Sequence, residues 1–230
     1  MPESSSPSLE LIVSHDGSHT LESKRFGVTY HSHFGAIEES LTVFLSAGFH
    51  ALRLKGWQSI RIFEMGFGTG LNALLSKMEA DHYQVPCHYH GIEAYPVCAE
   101  IAESLNYTSA LQRPNEAEAF LKMHMSDEEI EHALSDYFTF KKSIGTIETF
   151  EFKDRYDLIY FDAFAPSAQP ELWNQDILGK LFEHLEPGGV LVTYCAKGQF
   201  KRDLRAVGFE VEALPGPGKK REMTRAWKPL

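Results

Sequence analysis

Three glycines at alternate positions, Gly66, Gly68 and Gly70, are the feature that most constrains how this chain can fold. They lie within FEMGFGTGLN, between an apolar run at residues 60–63 and helical spacing at residues 71–78. Glycine at a strand-to-helix turn lets the backbone turn tightly and approach a ligand closely. The stretch therefore predicts a ligand-binding loop at the carboxyl end of a buried strand.

The segments around this loop alternate between strand and helix patterns, which predicts a mostly parallel sheet with helices on its faces. We therefore expect an α/β, Rossmann-like fold. Near the carboxyl terminus, two strand patterns flank PGPGKKRE and predict a hairpin that adds one antiparallel strand. The predicted strands cover residues 60–63, 88–92, 137–141, 156–161, 189–194, 209–214 and 223–227, and the predicted helices cover 71–78, 97–105, 114–135 and 173–185.

The residues before the glycine loop predict an N-terminal extension. Residues 9–30 predict a β-hairpin with its turn at 15–18, and residues 38–54 show helical spacing that suggests a helix broken near Gly48. No linker divides the remainder. We expect an extension at residues 1–55 and one domain at residues 56–230, which together form one structural unit.

Composition and spacing argue against several classes of protein. No apolar run approaches the roughly 20 residues of a membrane span, and the start of the chain lacks the basic and apolar regions of a secretion signal. We expect a soluble, cytoplasmic protein that does not bind membranes. The three cysteines are widely spaced, which predicts no disulfide framework. The cluster of His82, Cys87, His88 and His90 lacks a second ligand pair with recognisable spacing, so we expect no metal site.

The charge of the chain is unevenly distributed. The formal net charge of −10 argues against a protein that coats nucleic acid with its whole surface. Residues 197–228, however, carry nine basic and four acidic side chains. This segment could face a polyanion, or it could be a solvated charged surface.

The loop departs from the dinucleotide-binding fingerprint, because Leu71 stands where the third glycine of G-x-G-x-x-G is required. Glu64 before the loop would repel a pyrophosphate, whereas it could accept a hydrogen bond from a cationic amino-acid group. This favours S-adenosyl-L-methionine as the ligand. Glu93 ends the next strand, where an acid commonly binds ribose hydroxyls. The expected cofactor-binding residues are Glu64, Gly66, Phe67, Gly68, Thr69, Gly70, Asn72 and Glu93.

Two stretches, YFDAFAPSAQPELW at 160–173 and GPGKKREM at 216–223, resemble the tRNA 5-methylaminomethyl-2-thiouridine methyltransferases. Members of this family are called MnmD when free-standing, and they form the methyltransferase half of the bifunctional MnmC enzymes. The resemblance runs through most of the chain from YHSHFGAIEESLTVFL at 30–45. The glycine loop is generic to enzymes that use S-adenosyl-L-methionine, whereas D-A-F-A-P-x-x-x-P-x-x-W followed by K-R-E-M is much more specific.

The resemblance implies a Rossmann-like methyltransferase that methylates the 5-aminomethyl group of wobble 2-thiouridine in the tRNA anticodon stem-loop. It implies that Asp162 is catalytic: the carboxylate would hold the neutral amine and stabilise the charge that arrives on nitrogen. Because the sequence ends at Leu230, we expect a separate FAD-dependent oxidase or another enzyme to supply the aminomethyl precursor. The expected substrate-binding residues are Phe164, Pro166 and Trp173 for a withdrawn base and Lys219, Lys220 and Arg221 for phosphates.

One departure from the family pattern concerns adenine. Enzymes of this type tend to place an acid after the third strand, but this chain has Ser143-Ile144-Gly145-Thr146 there. Backbone groups or Glu148 are the possible substitutes. Two alternatives to the tRNA enzyme also remain at this point. One is a methyltransferase or aminopropyltransferase that acts on a small-molecule amine, and the other is a non-catalytic RNA-binding module.

Overall fold

The computed structural model describes residues 9–218 and 220–230. Its centre is an eight-stranded sheet in the order β10-β11-β9-β8-β4-β5-β7-β6. The five inner strands β9, β8, β4, β5 and β7 pair in parallel. The expected α/β fold with a mostly parallel sheet is confirmed. The strands are β4 (Ile60–Met65), β5 (Cys87–Glu93), β6 (His132–Ala133), β7 (Phe138–Ile144), β8 (Tyr156–Phe161), β9 (Leu185–Thr193), β10 (Glu210–Pro215) and β11 (Glu222–Trp227).

The predicted C-terminal hairpin is present, since β11 pairs antiparallel with both β10 and β9. A second antiparallel strand, β6, lies at the other edge of the sheet beside β7. It falls in the region that the sequence predicted to be helical from 114 to 135. Only a short 3₁₀ turn at Pro114–Glu116 and a helix at Ala117–Met125 form there, so the predicted helix is too long.

A smaller three-stranded antiparallel sheet precedes the main one, with strands β1 (Leu9–Val13), β2 (His19–Ser23) and β3 (Val28–Thr29). The turn between β1 and β2 lies where the sequence predicted it. Asp16 closes this turn, because its carboxylate accepts hydrogen bonds from the Ser14 hydroxyl at 2.7 Å and from the Ser18 amide at 3.0 Å.

The following helix is continuous, so the predicted break near Gly48 is wrong. An α-helix at Ala36–Ser40 leads directly into a π-helical segment at Leu41–Phe49 and a second α-helix at His50–Leu54. A Cβ atom on Gly48 would lie 2.9 Å from Leu158 Cδ1 and 3.2 Å from Val192 Cγ2. Glycine is therefore needed because the helix packs closely on the sheet, rather than because the helix ends there.

The remaining helices cover both faces of the sheet. We label the helices in chain order α1 (Ala36–Ser40), α2 (His50–Leu54), α3 (Leu71–Tyr83), α4 (Ala99–Ser104), α5 (Tyr107–Ala110), α6 (Ala117–Met125), α7 (Gln175–His184) and α8 (Gly198–Ala206). Alternate residues of β4 face opposite sides, so that Ile62 joins one buried cluster and Phe63 the other. None of the helices in the described part of the chain is long and apolar enough to cross a lipid bilayer.

The strand order reverses beside β4, which has β5 on one side and β8 on the other. In open parallel sheets, this arrangement opens a crevice at the carboxyl ends of the strands. The glycine loop follows β4, Glu93 ends β5, and Asp162 follows β8. The topology therefore brings three segments with predicted site residues to one place.

Candidate active site

The glycine loop lies directly against the backbone that follows β8. Gly66 has a φ of +95°, and a Cβ atom on it would lie 2.5 Å from the carbonyl oxygen of Asp162. Gly68 has a φ of +51°, and its Cβ would lie 2.9 Å from the Tyr30 ring. Only glycine fits at these positions, because both the backbone conformation and the available space exclude a side chain.

A concave pocket, partly open to solvent, lies at this edge of the sheet. Four strand ends and the N-terminal extension contribute to its wall. The lining residues lie at 30–31, 65–69, 71–72, 92–95, 145–148, 162–164, 169 and 171–172.

Glu93 ties the second strand end to the glycine loop. Its carboxylate accepts hydrogen bonds from the Gly68 amide and from the Tyr95 amide, both at 2.8 Å. Burial raises the pKa of this carboxyl above its ordinary value, and the backbone amides oppose that rise. The carboxylate lies in the cavity wall, in the position from which we predicted ribose binding.

Asn72 connects the two other acids of the site. Its side-chain amide nitrogen donates to Glu64 at 2.8 Å and to Asp162 at 2.9 Å. Glu64 is only 1% exposed, and burial together with the charge of Asp162 raises its pKa, while the hydrogen bond from Asn72 opposes this rise. A direct contact between Glu64 and a cofactor ammonium is thus not supported, because the carboxyl lies beneath the cavity wall. It acts on the site by orienting Asn72.

The carboxamide oxygen of Asn72 is buried and accepts no hydrogen bond from any residue that the structure describes. Asn72 lines the cavity, so a cationic donor that entered could satisfy this oxygen. An unpaired acceptor and a glycine cradle without side chains fit the ammonium and backbone of an amino-acid moiety. These residues therefore fit S-adenosyl-L-methionine.

Asp162 is half-buried in the cavity wall at the end of β8. Burial raises its pKa to about 8, and the negative charge of Glu39 adds to this rise, whereas the Asn72 amide opposes it. Near neutral pH, this carboxyl therefore holds a proton for much of the time. A cation beside it would lower the pKa and release that proton.

Trp173 does not line the cavity, and its predicted role in stacking on a base stays a prediction. The side chain is 7% exposed, and its ring packs on Phe161 at 4.5 Å and Phe200 at 4.9 Å between centroids. The indole N–H donates to the carbonyl oxygen of Phe164 at 2.8 Å. Trp173 thus fixes the course of the loop that carries Phe164.

Phe164 and Pro166 lie on this loop after Asp162. Phe164 is half-buried and lines the cavity, with its ring 4.9 Å from Tyr30 and 5.1 Å from Phe26 between centroids. Pro166 begins a half-buried turn. Phe164 can therefore contact a ligand, while a role in base binding stays a prediction for both residues.

The basic loop between β10 and β11 carries Lys220 and Arg221, two of the predicted phosphate contacts, in different surroundings. Lys219 lies outside the described residues. Lys220 is half-buried, and its ammonium donates to the carboxylate of Glu39. Arg221 is exposed and lines a surface depression with Tyr194. Of the two described cations, Arg221 is the one placed for contact with a phosphate.

The segment after β7 is where an acid for adenine was expected and is absent from the sequence. The Ser143 hydroxyl donates to Glu129 and also contacts His90 at 2.7 Å, so it is committed to the protein interior. Residues 145–148 line the cavity instead. Glu148 is exposed and lines the cavity, and its role as a substitute for the acid stays a prediction.

Sequence reasoning did not single out several residues of the cavity wall, among them Tyr30 and Tyr95. Tyr30 belongs to YHSHFG, a stretch that already carried the family resemblance, so that resemblance could have identified it. Nothing in the local pattern indicated that the extension would reach the glycine loop. Tyr95 follows Glu93 by two residues, and its position after a strand end was the available signal.

The histidines near Cys87 are separated by the fold. His90 is buried and contacts the Tyr156 hydroxyl at 2.7 Å, whereas the ring of His82 packs on its neighbour Tyr83. Among residues 9–218 and 220–230, no group of three or more His, Cys, Asp or Glu side chains is arranged to hold a metal ion.

His124 supports the glycine loop from behind. Its Nε2 lies 3.1 Å from the Thr69 carbonyl oxygen, and its ring packs on Phe67 at 5.1 Å between centroids. A Cβ atom on Gly70 would lie 2.8 Å from the same Nε2. The Nε2 atom must carry the proton in order to donate to Thr69. Burial lowers the pKa of His124 to about 4.

We expect the His124→Gln variant to lose less stability than the wild type below pH 6.5. The folded-state pKa of about 4 lies below the unfolded value of 6.5, so the unfolded chain binds the extra proton and stability falls as pH falls between these values. Glutamine keeps a donor for Thr69 but does not titrate. When urea unfolding is measured at pH 7.5 and pH 5, the free energy of unfolding should fall by about 2 kcal/mol less in the variant than in the wild type. An unchanged loss would show that His124 already titrates normally.

Comparison with known proteins agrees with this geometry. A family model described as S-adenosyl-L-methionine-dependent methyltransferase matches residues 105–229. The chain is 30% identical to the tRNA 5-methylaminomethyl-2-thiouridine biosynthesis bifunctional protein MnmC of Cupriavidus metallidurans, over 94% of this chain and 33% of that protein. A protein of the same name from Leptospira interrogans is 30% identical over 87% of this chain and 32% of its own length.

The crystal structure of MNMC2 from Aquifex aeolicus superposes with a TM-score of 0.76 at 26% identity, over 100% of this chain and 74% of that one. The chain spans about a third of the length of the curated relatives that it matches.

Proposed function

We propose an acceptor for this chain, which belongs to the S-adenosyl-L-methionine-dependent methyltransferase family: the 5-aminomethyl group of wobble 2-thiouridine in tRNA. The product would be 5-methylaminomethyl-2-thiouridine. The names of the curated relatives support this acceptor. The observation that carries the chemistry is Asp162, a carboxyl of raised pKa that shares a cavity wall with the glycine loop.

S-adenosyl-L-methionine, when bound, supplies a methyl group on a positively charged sulfur. The loop at 66–70 would hold its amino-acid part, with the free oxygen of Asn72 as acceptor for the ammonium. Glu93 would bind the ribose hydroxyls, and Glu148 stands at the rim for the adenine amine.

Asp162 is suited to receive a proton from the acceptor. An alkylammonium has a pKa near 10, and a carboxyl of pKa near 4 would leave a gap of about 6 units, or roughly 8 kcal/mol. The raised pKa of Asp162, about 8 in the free protein, narrows this gap, and the proton that the carboxyl holds leaves when the cationic methyl donor binds, so that the carboxylate can accept another. Asp162 then holds the remaining N–H and directs the nitrogen lone pair towards the methyl group.

The acceptor base would reach this point beside Phe164, with Pro166 stiffening the loop and Trp173 holding it in place. Arg221 would contact a phosphate of the anticodon stem-loop, and Lys219 and Lys220 belong to the same basic loop. We place the reaction in the cytoplasm, where a separate enzyme, such as an FAD-dependent oxidase, supplies the aminomethyl precursor.

The test is to incubate the protein with methyl-labelled S-adenosyl-L-methionine and tRNA from a strain that lacks this modification. The tRNA is then digested and the labelled nucleoside identified. We expect label on 5-methylaminomethyl-2-thiouridine. Binding of the methyl donor without any labelled nucleoside would exclude the tRNA acceptor and favour a small-molecule amine.

We expect Arg221→Ala to raise the KM for tRNA by about 3-fold to 10-fold with little change in kcat, because one phosphate contact is lost. The salt dependence of tRNA binding should also become shallower. Arg113→Ala removes an exposed arginine from the segment between α5 and α6 and serves as the matched control. An equal effect in both variants would contradict a specific phosphate contact at Arg221.

A further inference from the structure

The ammonium group of Lys220 lies in a small site whose neighbouring groups favour a cation. Its Nζ contacts the carboxylate of Glu39 and lies 4.7 Å from the centroid of the Tyr194 ring. A carboxylate and an aromatic face are the two groups that most favour an alkylammonium ion. Lys220 itself comes from the loop between β10 and β11, 181 residues after Glu39.

Both receiving groups are held rigidly by the backbone. Glu39 is only 6% exposed, and its second carboxylate oxygen accepts a hydrogen bond from the Ser32 amide at 2.8 Å. The Tyr194 hydroxyl donates to the Ala163 carbonyl oxygen at 2.7 Å. Such a site would keep its shape if Lys220 withdrew.

This place adjoins the candidate catalytic acid. Ala163, which anchors Tyr194, is the residue after Asp162. The charges of Glu39 and Lys220 both act on the pKa of Asp162, the first raising it and the second lowering it. The same two charges act on the pKa of His31, which lines the main cavity. The site that holds the Lys220 ammonium is therefore joined, through Tyr194 and Ala163, to the segment that carries Asp162.

We propose that Glu39 and Tyr194 form a binding site for a primary alkylammonium, which Lys220 fills in the free protein and the acceptor's protonated aminomethyl group fills on binding, before it gives its proton to Asp162 and reacts as the neutral amine. The second half of this proposal rests on the proposed function. The Lys220 side chain ends in the same –CH₂–NH₃⁺ group that the acceptor carries. When the acceptor binds, Lys220 leaves Glu39 and becomes free to contact a phosphate of the same RNA.

The first test uses methylammonium chloride as the probe and follows backbone amide signals by ¹H–¹⁵N NMR. In Lys220→Ala, we expect saturable shifts at Ala163 and Tyr194, because the vacated site accepts methylammonium. The wild type and the double variant Lys220→Ala/Glu39→Gln should bind at least about 10-fold more weakly. Sodium chloride at equal ionic strength controls for salt.

Lys201→Ala is the matched control variant, since it removes another lysine from an ion pair, with Glu222 at 2.6 Å. It should bind no methylammonium at Tyr194. Absence of saturable binding in folded Lys220→Ala, or binding that survives Glu39→Gln, would overturn the site. This arm requires no RNA, so its outcome is independent of the proposed function.

The second test measures tRNA methylation by Glu39→Gln. We expect the KM for tRNA to rise about 10-fold or more, because the acceptor ammonium loses its carboxylate partner. An unchanged KM together with methylammonium binding in Lys220→Ala would show that the acceptor does not use the site. If the wild type labels no nucleoside, the proposed function fails, and the methylammonium result still decides whether the site exists.

Discussion

Asp162→Asn should lower kcat for methyl transfer by at least about 100-fold, because asparagine cannot take a proton from the acceptor ammonium. The same substitution should stabilise the protein at alkaline pH. The pKa of Asp162 in the folded protein, about 8, lies above the ordinary value of 3.8. The folded state therefore binds the extra proton between these values, and stability is lost as pH rises through this window.

Urea unfolding of both proteins at pH 5 and pH 8.5 measures this effect. Between pH 5 and pH 8.5, the free energy of unfolding of Asp162→Asn should rise by about 4 kcal/mol relative to that of the wild type. Asp136→Asn, at an exposed position between β6 and β7, should change neither activity nor the pH dependence. Full activity of Asp162→Asn would remove the proton acceptor from the proposed mechanism, and an unchanged stability profile would mean that the carboxyl is ionised in the folded protein.

The raised pKa also predicts proton release when the methyl donor binds. A sulfonium beside Asp162 favours the ionised carboxylate, so part of a proton leaves at pH 7. Calorimetric titrations of S-adenosyl-L-methionine in two buffers of different ionisation enthalpy should report this release for the wild type and none for Asp162→Asn. Equal enthalpies in both buffers for the wild type would argue against it.

Gly66→Ala should abolish binding of S-adenosyl-L-methionine and destabilise the fold by about 2 kcal/mol or more. The added Cβ would lie 2.5 Å from the backbone carbonyl oxygen of Asp162, in a residue whose φ is +95°. Neither atom can rotate away, because the backbone fixes the position of the Cβ and the oxygen is itself a backbone atom. The loop would have to move from the end of β8, which would separate Asn72 from Asp162.

Gly179→Ala is the matched control. Gly179 lies within α7, and a Cβ atom there would meet nothing within 4 Å. Alanine should stabilise that helix by up to about 1 kcal/mol and leave cofactor binding unchanged. Urea unfolding and a titration with S-adenosyl-L-methionine compare the two variants. Wild-type affinity in Gly66→Ala would show that the loop can be rebuilt around a side chain.

Predictions from local patterns succeeded where the cause is local. The parallel strands follow from apolar runs between turns, and the hairpin from PGPGKKRE follows from its glycines and prolines. The break near Gly48 failed, because glycine in a helix has the same sequence signature whether the helix ends or packs closely on a sheet. The structure separates these cases through the contacts of Gly48 with β8 and β9.

The site residues divide in the same way. The positions of the glycine loop, Glu93 and Asp162 at one edge of the sheet follow from strand order, which the alternation of strands and helices indicates. Glu64 and Trp173 have residue types that suit ligand contact, but the fold turns both side chains inward. Whether a side chain at a strand end or in a loop faces the cavity depends on tertiary packing, which cannot be read from a short stretch of sequence.

By itself, the sequence determined the class of fold, the glycine cradle and the methyl donor, because each depends on residues that are close along the chain. Only the tertiary structure decided the proton affinity of Asp162 and the partner of Lys220. Both depend on Glu39, which is far from each in the sequence and close in space. Electrostatic energies depend on distance and burial, so the chemistry of this site is set by elements that meet only when the chain has folded.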